Sequence, residues 1–234
     1  IVLRGDLAMY VVECSQCGKR GEVPKKPRNT MLCPACSSAR DVHQELKQDL
    51  RRFLRDSPLP EPIAHQVYRL VTNKDDFREH LEELIANQSV LITSLGYTGV
   101  LSMAQQLPPE VLESKLWQLA PMGVYASGHL WLVLSDLIHA RGDYESAVQA
   151  STISKLLLSA VTRAAAGTER DPYLTALVGD QYELLNFAGR PSVERSTEQR
   201  GRRMFDVHSC EDGSEAWFDV TALIAFHERL RDEG

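Results

Sequence analysis

Apolar residues recur at helical spacing through most of the chain after Asp41. Val42, Leu46, Leu50, Phe53 and Leu54 share one face of residues 41–55, while Lys47, Arg51, Arg52 and Arg55 lie elsewhere around it. That is the 3.6-residue period of an amphipathic helix. Ser57-Pro58-Leu59-Pro60-Glu61-Pro62 then stops any helix, because each proline drives the residue before it out of the α region. A module boundary is expected there. Ile63 to Val71 reads as a short helix, and Asn73 to Gln88 as a longer one with Phe77, Leu81, Leu84 and Ile85 on one face and Asp75 and Asp76 at its positive end. Glu79, Glu82 and Glu83 of the same segment read as a solvated outer face.

Ser89 to Gly99 fits either a strand or a buried helix, since Val90, Leu91 and Ile92 are continuous. Pro108 and Pro109 suit the first turn of a helix reaching Leu119. With Val100 to Leu107 before it, this segment has the outline of a helix-turn-helix, but Trp117 on the second helix looks like core packing rather than base reading. His129 to Ala140 is nearly all apolar and predicts a central buried helix; Arg141-Gly142-Asp143 turns the chain into another, Tyr144 to Ala166. Asp171 and Pro172 predict a helix start, with the helix running to Phe187. Residues 189–203 read as an exposed basic loop carrying Arg190, Arg195, Arg200, Arg202 and Arg203. Met204 to Ser209 and Ala216 to Asp219 alternate as two strands around Glu211-Asp212-Gly213, and Asp219 can cap a last helix bearing Leu223, Phe226, His227 and Leu230.

The start of the chain follows a different logic. Cys14-x2-Cys17 and Cys33-x2-Cys36 are separated by fifteen residues, the spacing of a zinc site built from two C-x-x-C turns. Each turn aims two thiolates at one ion, and two turns complete a tetrahedron. Gly18 follows the first pair, while Pro34 and Ala35 lie within the second. Tyr10 to Glu13 and Thr30 to Leu32 lead into the pairs as strand-like segments. Two disulfides or an iron–sulfur cluster are the competing uses of four cysteines. On these residues the segment 7–40 resembles the zinc-ribbon class, a hairpin clipped by a structural metal; the resemblance implies a structural role and contact with nucleic acid or with protein partners. One structural Zn2+ held by Cys14, Cys17, Cys33 and Cys36 leaves no open position for catalysis. A module this small draws much of its folding free energy from the metal.

The expected organisation is therefore mainly α: a small N-terminal zinc ribbon (1–40), a connecting amphipathic helix (41–56), a Pro-rich linker (57–62), a helical domain (63–188), a basic loop (189–203), and a short C-terminal β hairpin with a final helix (204–234). The 43% hydrophobic and 25% charged composition is that of an ordinary globular protein, and no apolar run approaches the roughly 20 residues of a membrane span. The chain opens on Ile1 rather than Met, as a truncated sequence would, and its first residues carry no signal-peptide pattern. Paired cysteines without a secretory start point to a reducing compartment, the cytoplasm by default, with a nucleus or virion interior also compatible.

A net charge of −6 argues against a uniformly basic nucleic-acid binder. Locally the balance reverses: Lys19, Arg20, Lys25, Lys26, Arg28 and Arg40 face only Glu22 between positions 19 and 40. No phosphate-binding loop, dinucleotide fingerprint, HExxH or GxSxG occurs, and the seven histidines form no i, i+4 metal pair. His129 and His139 read as hydrogen-bonded core residues, and His208 with Cys210 and Asp212 as hairpin chemistry. These features favour a non-catalytic nucleic-acid-binding protein, or the nucleic-acid-contacting subunit of a larger assembly. Lys19, Arg20, Lys25, Lys26 and Arg28 would be the primary contact and Arg200, Arg202 and Arg203 a second. The alternative is a scaffold that binds a partner protein through the ribbon and the helical body.

Overall fold

Proline at the first helical position and β-branched or aromatic residues in short runs set the element boundaries of the protein. The computed structural model describes residues 2–4, 7–13, 19–23, 34–72, 77–86, 97–102, 104 and 106–232. They are mainly helical, with a three-stranded antiparallel sheet toward each end. Two compact units divide the chain, Ile1–Asp49 and Leu50–Gly234.

In the first unit β1 (Val2–Arg4), β2 (Leu7–Glu13) and β3 (Arg20–Val23) form a sheet of order β1-β2-β3, with Val2 opposite Met9, Tyr10 opposite Val23 and Glu13 opposite Arg20. Helix α1 (Pro34–Asp56) begins seven residues before Asp41, where the apolar period starts. Pro34 is tolerated as the first residue because its missing N–H has no intrahelical partner there. The residues after it, Ala35-Cys36-Ser37-Ser38-Ala39, carry no large apolar side chain at helical spacing, so the apolar pattern does not register them. Residues 37–40, assigned to the ribbon by pattern, are therefore helical.

The proline-rich segment ends α1 at Asp56 and precedes α2 (Glu61–Thr72), as its prolines require. It is not the boundary between the units, which falls at 49/50; Leu59 is buried, as are Leu50 and Leu54 of α1. Then come α3 (Phe77–Ala86), α4 (described over 97–102), α5 (Pro109–Leu119), two 3-10 turns at Ala120–Met122 and Val124–Ala126, α6 (Gly128–Ala140), α7 (Tyr144–Ala164) and α8 (Val178–Phe187). The expected helices at 63–71, 129–140 and 144–166 are thus present with small shifts at their ends. Residues 87–96, most of the ambiguous segment, and Asp75 and Asp76 lie outside the described residues.

Helices α6 and α7 form a helical hairpin across Arg141-Gly142-Asp143, with Gly142 at φ +90° and Asp143 accepting from the Ser146 N–H. At the core Trp131 of α6 is fully buried, packed edge-on against Trp117 (5.8 Å) and Phe53 (6.3 Å), and its indole N–H donates to the Tyr125 carbonyl at 2.8 Å. Leu130, Leu134, Leu116, Ile153 and Leu184 complete the fully buried layer.

Asp171 and Pro172 do not start a helix; α8 begins six residues later. The Asp171 carboxylate accepts instead from the Ala166 N–H (2.8 Å) and Arg78 (2.9 Å), and Tyr173 pairs with the sheet, donating its N–H to Trp217 O and accepting from the Asp219 N–H. Backbone groups that would begin a helix are thereby committed to the sheet edge.

That sheet has the order β4 (Ser192–Arg200), β5 (Arg203–Cys210), β6 (Glu215–Asp219), followed by α9 (Thr221–Asp232). The β5–β6 hairpin turns at Gly213 (φ +78°), and Asp219 accepts from the Thr221 N–H at the start of α9, as expected. The basic segment 189–203 is not a loop: most of it is β4, joined to β5 by the two-residue turn Gly201-Arg202, with Gly201 at φ +64°. Its polarity misleads because β4 is an edge strand exposed along nearly its whole length, so alternation has no buried face to report.

Candidate functional site

Cys14 and Cys17 fall in the connection between Glu13 and Arg20, which are paired across β2 and β3, and with Cys33 they lie outside the described residues. Cys36 is the third residue of α1. Lys19 is exposed and Arg20 opens β3; Lys25, Lys26 and Arg28 lie outside the described residues. Among the described residues no group of three His, Cys, Asp or Glu side chains is placed to hold a metal, and Cys210 is a buried free thiol.

The second group of arginines is brought together at the β4–β5 tip. Arg200 meets Glu198 at 2.6 Å and Glu169 at 3.8 Å and lies over the Trp217 ring; Arg203 meets Asp219 at 2.7 Å and lies over Phe205. Arg202 is exposed in the turn. Carboxylates thus balance the two flanking arginines, and the tip is less positive than its sequence.

Two buried polar networks lie deeper, and neither is visible in local sequence spacing. The first centres on Asp180, the third residue of α8. Its carboxylate accepts from the Leu177 N–H (2.9 Å) at the start of α8 and from the His129 N–H (2.8 Å) and Ser127 hydroxyl (2.8 Å) at the start of α6. Ser127 in turn accepts from the Leu130 N–H at 3.1 Å. Burial raises the Asp180 carboxyl pKa, and the three donors oppose that shift. A single carboxylate therefore serves the positive ends of two helices. The His129 ring sits against Gly179 and edge-on to Tyr97 at 5.9 Å, with Nδ1 3.5 Å from Glu183. A cavity of about 10 Å³, room for one water, borders Asp180, Gly128, Leu158 and Thr175. His139, expected in the core, is exposed and packs on Tyr144 at 4.9 Å because it lies on the outer side at the end of α6.

The second network joins α8 to the C-terminal sheet. Gln181 donates its amide to Asp206 (3.0 Å), which fixes the amide orientation and leaves Oε1 to accept from His208 Nε2 (2.9 Å). His208 Nδ1 then accepts from the Ser192 hydroxyl at 2.8 Å, and Thr197 donates to Asp206 at 2.7 Å. Tyr182 and Phe218 wall the ring at 5.0 and 5.2 Å. Burial pushes His208 down to about 4 against the opposing charge of Asp206, with Arg195 adding to the fall. His208 is therefore not hairpin surface chemistry; it is a neutral, fully buried imidazole with both nitrogens occupied. Such a ring is a poor general base near neutral pH, and its evident work is to fasten a helix to a sheet.

Comparisons with protein-family models, with curated proteins and with solved structures find no match for this chain. Among the described residues no helix is long and apolar enough to cross a membrane.

Proposed function

We propose that the protein binds nucleic acid through an N-terminal four-cysteine zinc ribbon and that it does so without catalysis, alone or as a subunit of a larger assembly. The observation that carries the reading is the relation of the two cysteine pairs to their elements. One pair falls in sequence between Glu13 and Arg20, which are in register across β2 and β3, and of the other pair Cys36 is the third residue of α1. A helix start favours anionic sulfur through its unpaired N–H groups. The residues thus suit a closed S4 site for zinc, which would fix the fold of the segment between the pairs and supply no reacting group. That segment carries Lys19, Arg20, Lys25, Lys26 and Arg28, whose charge would contact phosphates with little sequence information. Arg202 offers a lesser contact, with Arg200 and Arg203 already engaged.

The test combines metal content with binding. One zinc per chain is expected, lost with Cys36→Ser. Anisotropy with labelled single- and double-stranded DNA and RNA should show affinity falling by orders of magnitude between about 50 and 200 mM salt. Metal-free protein, or no binding at low salt, would overturn the reading.

A second reading, a scaffold for a partner protein, is favoured by exposed apolar side chains on the helical unit: Tyr144 and Val148, one turn apart on α7, are 63% and 61% exposed.

A further inference from the structure

We infer that β4 is a self-pairing edge, through which a second copy of this chain adds antiparallel to form one continuous six-stranded sheet about a two-fold axis on Thr197. The β6 edge of the sheet is occupied by Tyr173, whereas among the described residues no strand pairs with the outer edge of β4. Residues 193–197 are exposed in succession, Val193 to 70%.

Hydrogen-bond phase restricts the register. Met204 spends its N–H on Thr221 Oγ1 and its carbonyl on the Val220 N–H, away from β4, so alternate residues 203, 205, 207 and 209 bond toward β4. Their partners are Arg200, Glu198, Ser196 and Glu194. The backbone groups of Arg195, Thr197 and Gln199 consequently point outward. A second β4 can bond only when its own outward residues stand opposite these, which places the axis on a residue and never between two.

Charge then selects among the allowed axes. An axis on Thr197 sets Glu194 against Arg200 of the second copy, twice by symmetry, with Arg195 against Gln199 and Ser196 against Glu198. Moving it to Ser196 sets Glu194 against Glu198; an axis on Arg195 or Glu198 sets that charge against itself. Only the Thr197 axis, among those near the strand centre, pairs opposite charges and opposes no like ones. Arg200 already meets Glu198, so its guanidinium would be shared between Glu198 and the second copy's Glu194. Tyr182 and Phe187 of α8, which packs beside β4, are 41% and 45% exposed and supply apolar area near the same edge.

Sedimentation equilibrium of the full chain over roughly 5 to 500 µM should give a monomer–dimer equilibrium, the range in which a small interface associates. Arg200→Glu, which opposes two pairs of like charges, should weaken the dimer about tenfold or more, and Glu194→Arg with Arg200→Glu should restore it. Gln199→Pro removes an outward N–H that β5 does not use, so it should abolish dimerisation while near-ultraviolet circular dichroism stays native. A chain monomeric throughout overturns the proposal, as does a dimer indifferent to Gln199→Pro or not rescued by the charge swap. A monomer that binds an unrelated extended peptide along β4 would mark the edge as a site for a different partner.

Discussion

The Ser127 hydroxyl donates to Asp180 Oδ1 across 2.8 Å, joining the start of α6 to the start of α8 although 53 residues separate them in sequence. All three groups that Asp180 accepts from are donors, and their geometry leaves no place for an amide NH2. Asp180→Ala should therefore destabilise the protein by about 3 kcal/mol, leaving two helix starts unsatisfied, and Asp180→Asn by about 1–3 kcal/mol, because its NH2 meets a donor. Ser127→Ala should cost about 1–2 kcal/mol. Urea unfolding midpoints at constant m-value measure each change.

The His208 network gives stability a pH dependence of definite sign. The unfolded imidazole takes its proton near pH 6.5 and the folded one near 4, so between those values the unfolded chain binds more protons. The contribution is fully present above pH 6.5 and is lost as pH falls toward 4, by about 3 kcal/mol. Asp180 acts in the opposite sense, since its folded pKa is raised. The comparison is therefore between wild type and His208→Gln. The variant should be less stable at pH 7 and should show a shallower fall in urea midpoint from pH 6.5 to 4. Parallel profiles for the two proteins would contradict the buried neutral assignment.

Two glycines should respond to alanine in opposite directions. At Gly99, within the helical stretch 97–102, an added Cβ meets nothing within 4 Å, so alanine should stabilise by about 0.5–1 kcal/mol. At Gly179 a Cβ would lie 2.6 Å from Cδ2 of His129, and displacing that ring should cost about 1–3 kcal/mol. Thermal unfolding of both variants in one buffer reads the difference.

Much of the fold was legible in the sequence wherever one face of an element is buried. Leu130, Trp131, Leu134 and Ile138 announced α6, and the Gly-containing turns at 142 and 213 announced the hairpins they close. Legibility failed where a residue's usual local role was taken by a distant partner. Asp171 with Pro172 has the signature of a helix start, but Arg78, Ala166 and the edge of β6 claim their groups. Strand β4 failed for another reason, since an edge strand exposed on both sides carries no period. The networks around Asp180 and His208 depend on contacts between elements far apart in the chain. Their one sequence signal was a histidine alternating with apolar residues in β5, which places it on a face without naming its partners. The cysteine spacing at 14–36 is a local pattern that carries the zinc proposal from the sequence alone, since Cys14, Cys17 and Cys33 lie outside the described residues.

Phosphate contact through the basic segment of the proposed ribbon is read from the slope of log K against log salt. Wild type should be compared with a Lys25→Glu, Lys26→Glu, Arg28→Glu variant of equal measured metal content. Loss of three phosphate contacts should reduce the slope by about 2–3 and weaken binding to all sequences alike. An unchanged slope and affinity in that variant would overturn phosphate contact at these residues.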